Sequence, residues 1–326
     1  MEVLTDILIN QAYNRICSEI LKTPLITNES INKTINAKVF FKLENLQHTG
    51  SFKLRGATNV ISQLTTNEKS KGVVAYSSGN HAQAVAYASG IRKIKSKIIM
   101  PKNAPLIKIN NTKKFGGEII FYDSKKESRE NIALEIARKE KSKIIKPYDD
   151  IQTIAGQGTA GKEIAEELKK INIIPDIYLC CCGGGGLLAG TSTYLKTSFP
   201  KINIYSVEPE EFNDTQLSLF ENRIIENKKN AYSICDSLLA PKPGKITFPI
   251  NKKILNRGLS VSDEEVKETI IQLAEKLKIV VEPGGAVAAA ALLNSKLEFE
   301  NKNIVVLISG GNIDYSFFSN IIQGKK

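Results

Sequence analysis

The sequence predicts an α/β protein in which parallel sheet is packed by helices on both faces. Three observations carry this. Short apolar, β-branched runs alternate with helix-period segments along the chain, the connections between them are short, and several strands run directly into glycine, serine or asparagine before a helix. The 326 residues are 42% hydrophobic and 24% charged, which is globular composition. That length is near the limit of one hydrophobic core, so two lobes are expected.

In chain order, Met1 to Ile16 reads as an amphipathic helix; Glu2, Asp6 and the lack of a basic segment before an apolar core argue against a signal peptide. Val39–Leu43 and Gly72–Ala75 read as strands, the second followed by a helix over Asn80–Ser89. Lys97–Met100 is a strand stopped at Pro101. Leu106–Phe115 is helical, Gly117–Tyr122 a strand, Ser128–Lys139 an amphipathic helix, and Lys143–Lys146 a short strand before Pro147. Gln157–Leu168 is helical, and Ile177–Cys182 and Ile202–Val207 are strands. Glu221–Pro249, rich in Asn, Lys and Pro, reads as irregular. Asp263–Leu277 is a helix that Ser262 caps, with Glu265 at capping-box spacing. Gly284–Leu293 is an Ala-rich buried helix and Ile304–Ile308 a buried strand.

Composition excludes several function classes. The Ala286–Leu293 run is too short to span a membrane. The net charge of +11 comes from lysines scattered among Asp and Glu, which fits an anionic small ligand better than nucleic acid. Two histidines, His48 and His81, leave little room for a His-based metal site or a Ser/His/Asp triad. Five cysteines, three of them adjacent at Cys180, Cys181 and Cys182, read as reduced thiols of a cytoplasmic protein.

Ligands of such folds bind where strands end and helices begin. Four such loops stand out. In Gly50 to Ala57, Lys53 lies between Phe52 and Leu54, and a lysine held among apolar groups loses basicity and can form a Schiff base. In Ser77, Ser78, Gly79, Asn80 and His81, exposed N–H groups at a helix start could cradle a carboxylate or phosphate, or serve as a simple N-cap. Gly183, Gly184, Gly185 and Gly186 follow a strand and fit a compact phosphate cup; they match neither a P-loop nor a dinucleotide fingerprint. In Ser309 to Asn312, a hydroxyl at a strand end could meet a ring nitrogen. A lysine for an imine, a phosphate cup, an anion loop and a strand-end hydroxyl together suit pyridoxal 5'-phosphate.

From about Thr23 to Asn312 the chain resembles the serine/threonine dehydratase and serine racemase family of fold-type II pyridoxal-phosphate enzymes. The resemblance rests on Ser51 to Ala57, Ser78 to His81, the tetraglycine, Glu282 to Ala286 and Ser309 to Asn312, spaced in the expected order. It implies a tryptophan synthase β-like architecture of two open, twisted, mostly parallel sheets. A small mobile domain over 50–145 would be inserted into a large domain made of 1–49 and 146–326. It implies that Lys53 holds the cofactor as a Schiff base and removes the Cα proton, and that Phe52 packs on the ring. Asn80 would meet the ring hydroxyl, Gly183, Gly184, Gly185, Gly186 and Leu187 the phosphate, and Ser309 the ring nitrogen. Glu282 is counted with these cofactor contacts. Ser77, Ser78, Gly79, Asn80 and His81 would take the substrate carboxylate.

The implied activity is dehydration and deamination of L-threonine and L-serine, with serine racemisation or 3-hydroxyaspartate elimination as alternatives. Ser78 bears on the choice, since racemases and hydroxyaspartate dehydratases carry Ser where many threonine dehydratases carry Ala; it is either a second proton-exchanging group or a small N-cap. Hydroxyaspartate would need an extra cation near its β-carboxylate, which the sequence cannot single out. Cys235 to Pro241 and Glu282 to Ala286 look more like bacterial threonine/serine dehydratases. Glu208, the Phe212 carbonyl and Asp214 match the Mg²⁺ or Ca²⁺ pattern of racemase-like members, although Asn213 stands where Asp is common. The resemblance also implies a homodimer or homotetramer. The chain stops soon after Asn312, so no C-terminal regulatory domain is expected.

Overall fold

The computed structural model describes residues 3–123 and 126–324. Met1 and Glu2, the start of the expected first helix, lie outside the described residues; the helix itself runs from Asp6 to Ile16, capped by Thr5.

Among the described residues, ten strands form two sheets. They are β1 (Leu25–Ile26), β2 (Lys38–Leu43), β3 (Val73–Tyr76), β4 (Ser96–Pro101), β5 (Glu118–Tyr122), β6 (Lys143–Ile144), β7 (Ile177–Cys181), β8 (Asn203–Pro209), β9 (Arg257–Val261) and β10 (Asn303–Ile308). The larger sheet has the order β1-β2-β10-β7-β8-β9, and the smaller β5-β4-β3-β6. Every pairing is parallel except β1 on β2. The central strands β7 and β10 are almost wholly buried, because helices cover both faces and leave no polar side. Each sheet has its own apolar core, that of the smaller centred on Val73, Ala75, Ile98 and Met100.

The helix Asp263–Leu277 forms with the expected capping box. The Ala-rich helix, Pro283–Leu293, is buried from Pro283 to Leu292 and starts with proline, which lacks the N–H that a first turn cannot satisfy. Two expectations are corrected. The helix placed at Gln157–Leu168 spans Ile151–Lys170, starting at the Asp150 cap. The irregular stretch Glu221–Pro249 contains a 3₁₀ turn at Asp236–Leu238 and ends inside a helix, Thr247–Ile254. The long helix lies backbone to backbone against Gly186–Ser198: a Cβ on Gly190 would sit 2.4 Å from the Ile154 carbonyl, and one on Gly161 2.6 Å from that of Thr191. That contact packs the long helix against the one that starts in the tetraglycine. Among the described residues no helix is long and apolar enough to cross a membrane.

Candidate active site

The loops that leave the carboxyl ends of β2, β3, β7 and β10 converge on one cavity of ≈ 250 Å³ between the two sheets. Phe52, Lys53, Ser77, Ser78, Gly79, Asn80, His81, the four glycines, Leu187 and Ser309 all line it. A bridge between Ser51 and Gly310 ties the Lys53 turn to the end of β10.

Lys53 opens the helix Lys53–Ser62. Its Nζ donates to the Pro147 carbonyl at 2.9 Å and lies 5.0 Å from the centre of the Phe52 ring. Part of the side chain stays open to the cavity. Burial among protein atoms pushes its pKa down to about 8, against the opposing pull of Cys181 and Glu282. An appreciable fraction of the amine is therefore neutral near physiological pH, as a nucleophile or base requires.

The tetraglycine makes the opposite wall. Gly185 has φ +90°, the left-handed region, and no side chain caps the helix that starts at Gly186. Tyr148 packs so closely on Gly184 that a Cβ there would lie 2.3 Å from its ring. The cup thus presents backbone N–H groups and a helix dipole to an anion, with no side chain to obstruct it.

On the third wall, His81 Nε2 lies 2.9 Å from the Ile145 carbonyl. Burial, with Lys53 nearby, pushes its pKa down to about 3, so the ring is neutral. The proton then belongs on Nε2, which donates to that carbonyl, and leaves buried Nδ1 as an acceptor. Asn80 donates to Glu282 Oε1 and accepts from Asn312 Nδ2 at 2.9 Å. Glu282 itself is fully buried and meets the cavity wall through Asn80.

Sequence reasoning missed Tyr76, Lys108, Arg129, Tyr148, Cys181, Asp236 and Ser237, which also line the cavity. Asp236 and Ser237 belong to the Cys235–Pro241 motif and could have been found there. Cys181 was read as a plain buried thiol; its sulfur is held below the usual thiol range by Cys180, with Ser309 and Lys53 adding to the effect against burial. Arg129 carried no signal, being one of 45 basic residues. Its guanidinium lies 5.7 Å over the Tyr76 ring and pairs with Glu130 at 3.0 Å.

The candidate cation residues lie away from this cavity. Both oxygens of buried Glu208 accept N–H groups at the start of the helix Asp214–Phe220, from Thr215 at 2.9 Å and Gln216 at 2.7 Å. Asp214 Oδ1 accepts from Asn227 at 2.6 Å, and Oδ2 is buried without a partner. Burial pushes Asp214 up to about 7, and burial plus the Asp214 charge raises Glu208 well above the carboxylate range. Among the described residues no three His, Cys, Asp or Glu side chains are grouped to hold a metal ion.

Residues 16–310 match the family model described as pyridoxal-phosphate dependent enzyme, and the chain belongs to that family. It is 41% identical over 302 residues to a serine racemase of Schizosaccharomyces pombe, covering 93% of this chain and 92% of that one. It is 38% identical to an L-threo-3-hydroxyaspartate ammonia-lyase of Saccharomyces cerevisiae, over 97% and 95% of the two chains. The crystal structure of a T.th. threonine deaminase superposes with a TM-score of 0.91 at 35% identity, covering 96% of this chain and 99% of that one. The fold is therefore that of the fold-type II enzymes.

Proposed function

We propose that this member of the pyridoxal-phosphate-dependent family is an ammonia-lyase that converts L-threonine and L-serine to 2-oxobutanoate or pyruvate plus ammonia. The observation that carries the reading is Lys53, its basicity lowered by its surroundings, in the same small cavity as an uncapped glycine cup. The residues fit the cofactor: Lys53 would hold its aldehyde carbon, Gly183 to Leu187 its phosphate, Asn80 its ring hydroxyl and Ser309 its ring nitrogen. When bound, the cofactor supplies an electron sink that makes the substrate Cα–H acidic.

The chain's own residues supply the rest. Lys53 would be the base that takes the substrate Cα proton. The N–H groups of the Ser77–His81 loop hold the substrate carboxylate. Ser309 would offer the ring nitrogen a neutral hydroxyl in place of a charged partner, a setting that would favour elimination. The segment 50–145 would close over the substrate and exclude water.

A second reading, elimination from 3-hydroxyaspartate, is favoured by Arg129, a cation on the cavity wall of the kind a β-carboxylate needs. Ser78 on the same wall keeps racemisation open. Supplying purified holoenzyme with L-threonine, L-serine and L-threo-3-hydroxyaspartate decides among them, by measuring 2-oxo acid and the chirality of residual substrate. Oxo acid from threonine and serine without D-amino acid is the expected result. Turnover confined to hydroxyaspartate and lost in Arg129→Met, or D-serine as the main product, would replace the reading.

Glu208, the Phe212 carbonyl, Asp214 and waters are proposed to take Mg²⁺ or Ca²⁺, supported by two neighbouring buried carboxyl groups and the unpartnered Asp214 oxygen. Exhaustive chelation should lower the melting temperature; an unchanged melting curve and activity would remove the cation from the proposal. Assembly as a homodimer or homotetramer belongs to the same reading. So does a cytoplasmic location, which four buried, unpaired cysteines support.

A further inference from the structure

Lys108, on the helix Leu106–Lys114 of the smaller unit, is a buried lysine that the chemistry above does not use. Its ammonium reaches across the cavity edge to two carboxylates of the larger unit. It meets Asp236 Oδ1 at 2.9 Å and Oδ2 at 2.7 Å, and Glu282 Oε2 at 2.9 Å. Its stem fills the space beside Gly79, where a Cβ would lie 2.2 Å from Lys108 Cδ. One side chain thus touches the Ser77–His81 loop twice: directly at Gly79, and through Glu282 at Asn80.

The Glu282 contact fixes how Asn80 is turned. As a carboxylate, Glu282 only accepts hydrogen bonds, while Asn312 Nδ2 donates. The Asn80 amide therefore has its oxygen toward Asn312 and its NH₂ toward Glu282. Protonated on Oε1, Glu282 would offer a donor where Asn80 also donates, and the arrangement would lose its polarity. We propose that Lys108 is a positioning residue: it keeps Glu282 ionised and thereby holds Asn80 in the orientation that serves the cofactor and the substrate loop. This rests on the cofactor assignment under the proposed function.

The electrostatics agree. Burial raises the Glu282 pKa from its ordinary value and Asp236 adds to this, while Lys108 is the main opposing influence. The other titratable groups facing Glu282 are Lys53 and Cys181. Removing the Lys108 charge leaves burial and Asp236 to push Glu282 further up.

The test compares holoenzyme with Lys108→Met and Lys108→Arg, following kcat/KM against pH and the visible absorbance of the bound cofactor against pH without substrate. Lys108→Met should lose about 100-fold in kcat/KM at neutral pH, as a small misplacement of a reacting group does. Its acid limb should move to higher pH, with the absorbance titration displaced in parallel. Lys108→Arg should restore both. Lys108→Met/Glu282→Gln, which carries no titrating group at 282, should lose the displacement. A Lys108→Met enzyme with wild-type pH profile and absorbance overturns the inference, whatever its melting temperature. If that variant does not fold, Glu282→Gln alone decides: a changed absorbance titration supports the inference and an unchanged one sinks it. Failure of wild type to turn over any of the three amino acids would refute the activity and leave the substrate-free titration to judge Lys108.

Discussion

Two buried charge clusters flank Lys53, and they are built differently. Behind it, Arg55 lies between Glu44 and Glu163, reaching each with two nitrogens at 2.8 Å. Lys42 completes the group through Glu163 at 2.8 Å and the Thr23 carbonyl at 2.6 Å. Two buried cations face two buried carboxylates, and at the rim Glu167 reaches Lys42 at 3.5 Å and Lys22 at 3.9 Å. At the cavity edge, one lysine faces two carboxylates, and Asp236 is 31% exposed. The planar fork of arginine suits the first cluster and the point charge of lysine the second. The closed cluster is balanced and clamps the Lys53 helix to β2 and to the long helix Ile151–Lys170. The open one keeps an excess negative charge within reach of Lys53 and the substrate loop. Like residue types thus serve a fixed frame in one place and a tunable wall in the other.

The sharpest way to break this contrast is to remove each cation and measure stability. Arg55→Met leaves two buried carboxylates without their main partner and should cost ~3–5 kcal/mol. Lys108→Met should cost less, ~1–2 kcal/mol, because Glu282 can take a proton and Asp236 is partly solvated. Denaturant midpoints of the two holoenzymes measure the difference. Equal losses, or a larger loss for Lys108→Met, would mean that both clusters are frame.

The sequence revealed the frame of the site more readily than its electrostatics. Lys53, the tetraglycine and Ser309 each sit in a local pattern of strand, small residues and helix, and such patterns are visible along the chain. Lys108 and Asp236 meet only through tertiary structure, 128 residues apart, and nothing near either announces the other. That Glu282 accepts from Asn80 and meets Lys108 is likewise tertiary, and its motif does not show it. The first turns of the long helix, from Ile151, were missed where Gly156 lowers helix propensity; packing on the neighbouring helix Lys53–Ser62 overrides it. Strand β9 was missed because Arg257, Gly258 and Ser260 leave it only two apolar residues.

A smaller effect separates the clusters by sign. Burial pushes Glu44 up, but Arg55, Lys42 and Thr23 outweigh it and hold its pKa below the ordinary glutamate range. Its contribution to stability is therefore present above the ordinary glutamate pKa, about 4.3, and is lost as pH falls through the lowered folded value. Glu282 runs the other way. Its folded pKa is raised, so the protein is favoured while Glu282 stays protonated, and stability declines as pH rises from the ordinary value through the raised one. Urea midpoints followed from acid to neutral pH should show Glu44→Gln with a flatter acid side than wild type. Glu282→Gln should lose part of the decline toward neutrality, while Asp236→Asn, removing a partly solvated charge, should shift the curve by no more than ~1 kcal/mol. If both glutamine variants flatten the same side of the curve, the two clusters carry one kind of electrostatics and the distinction between frame and tunable wall falls.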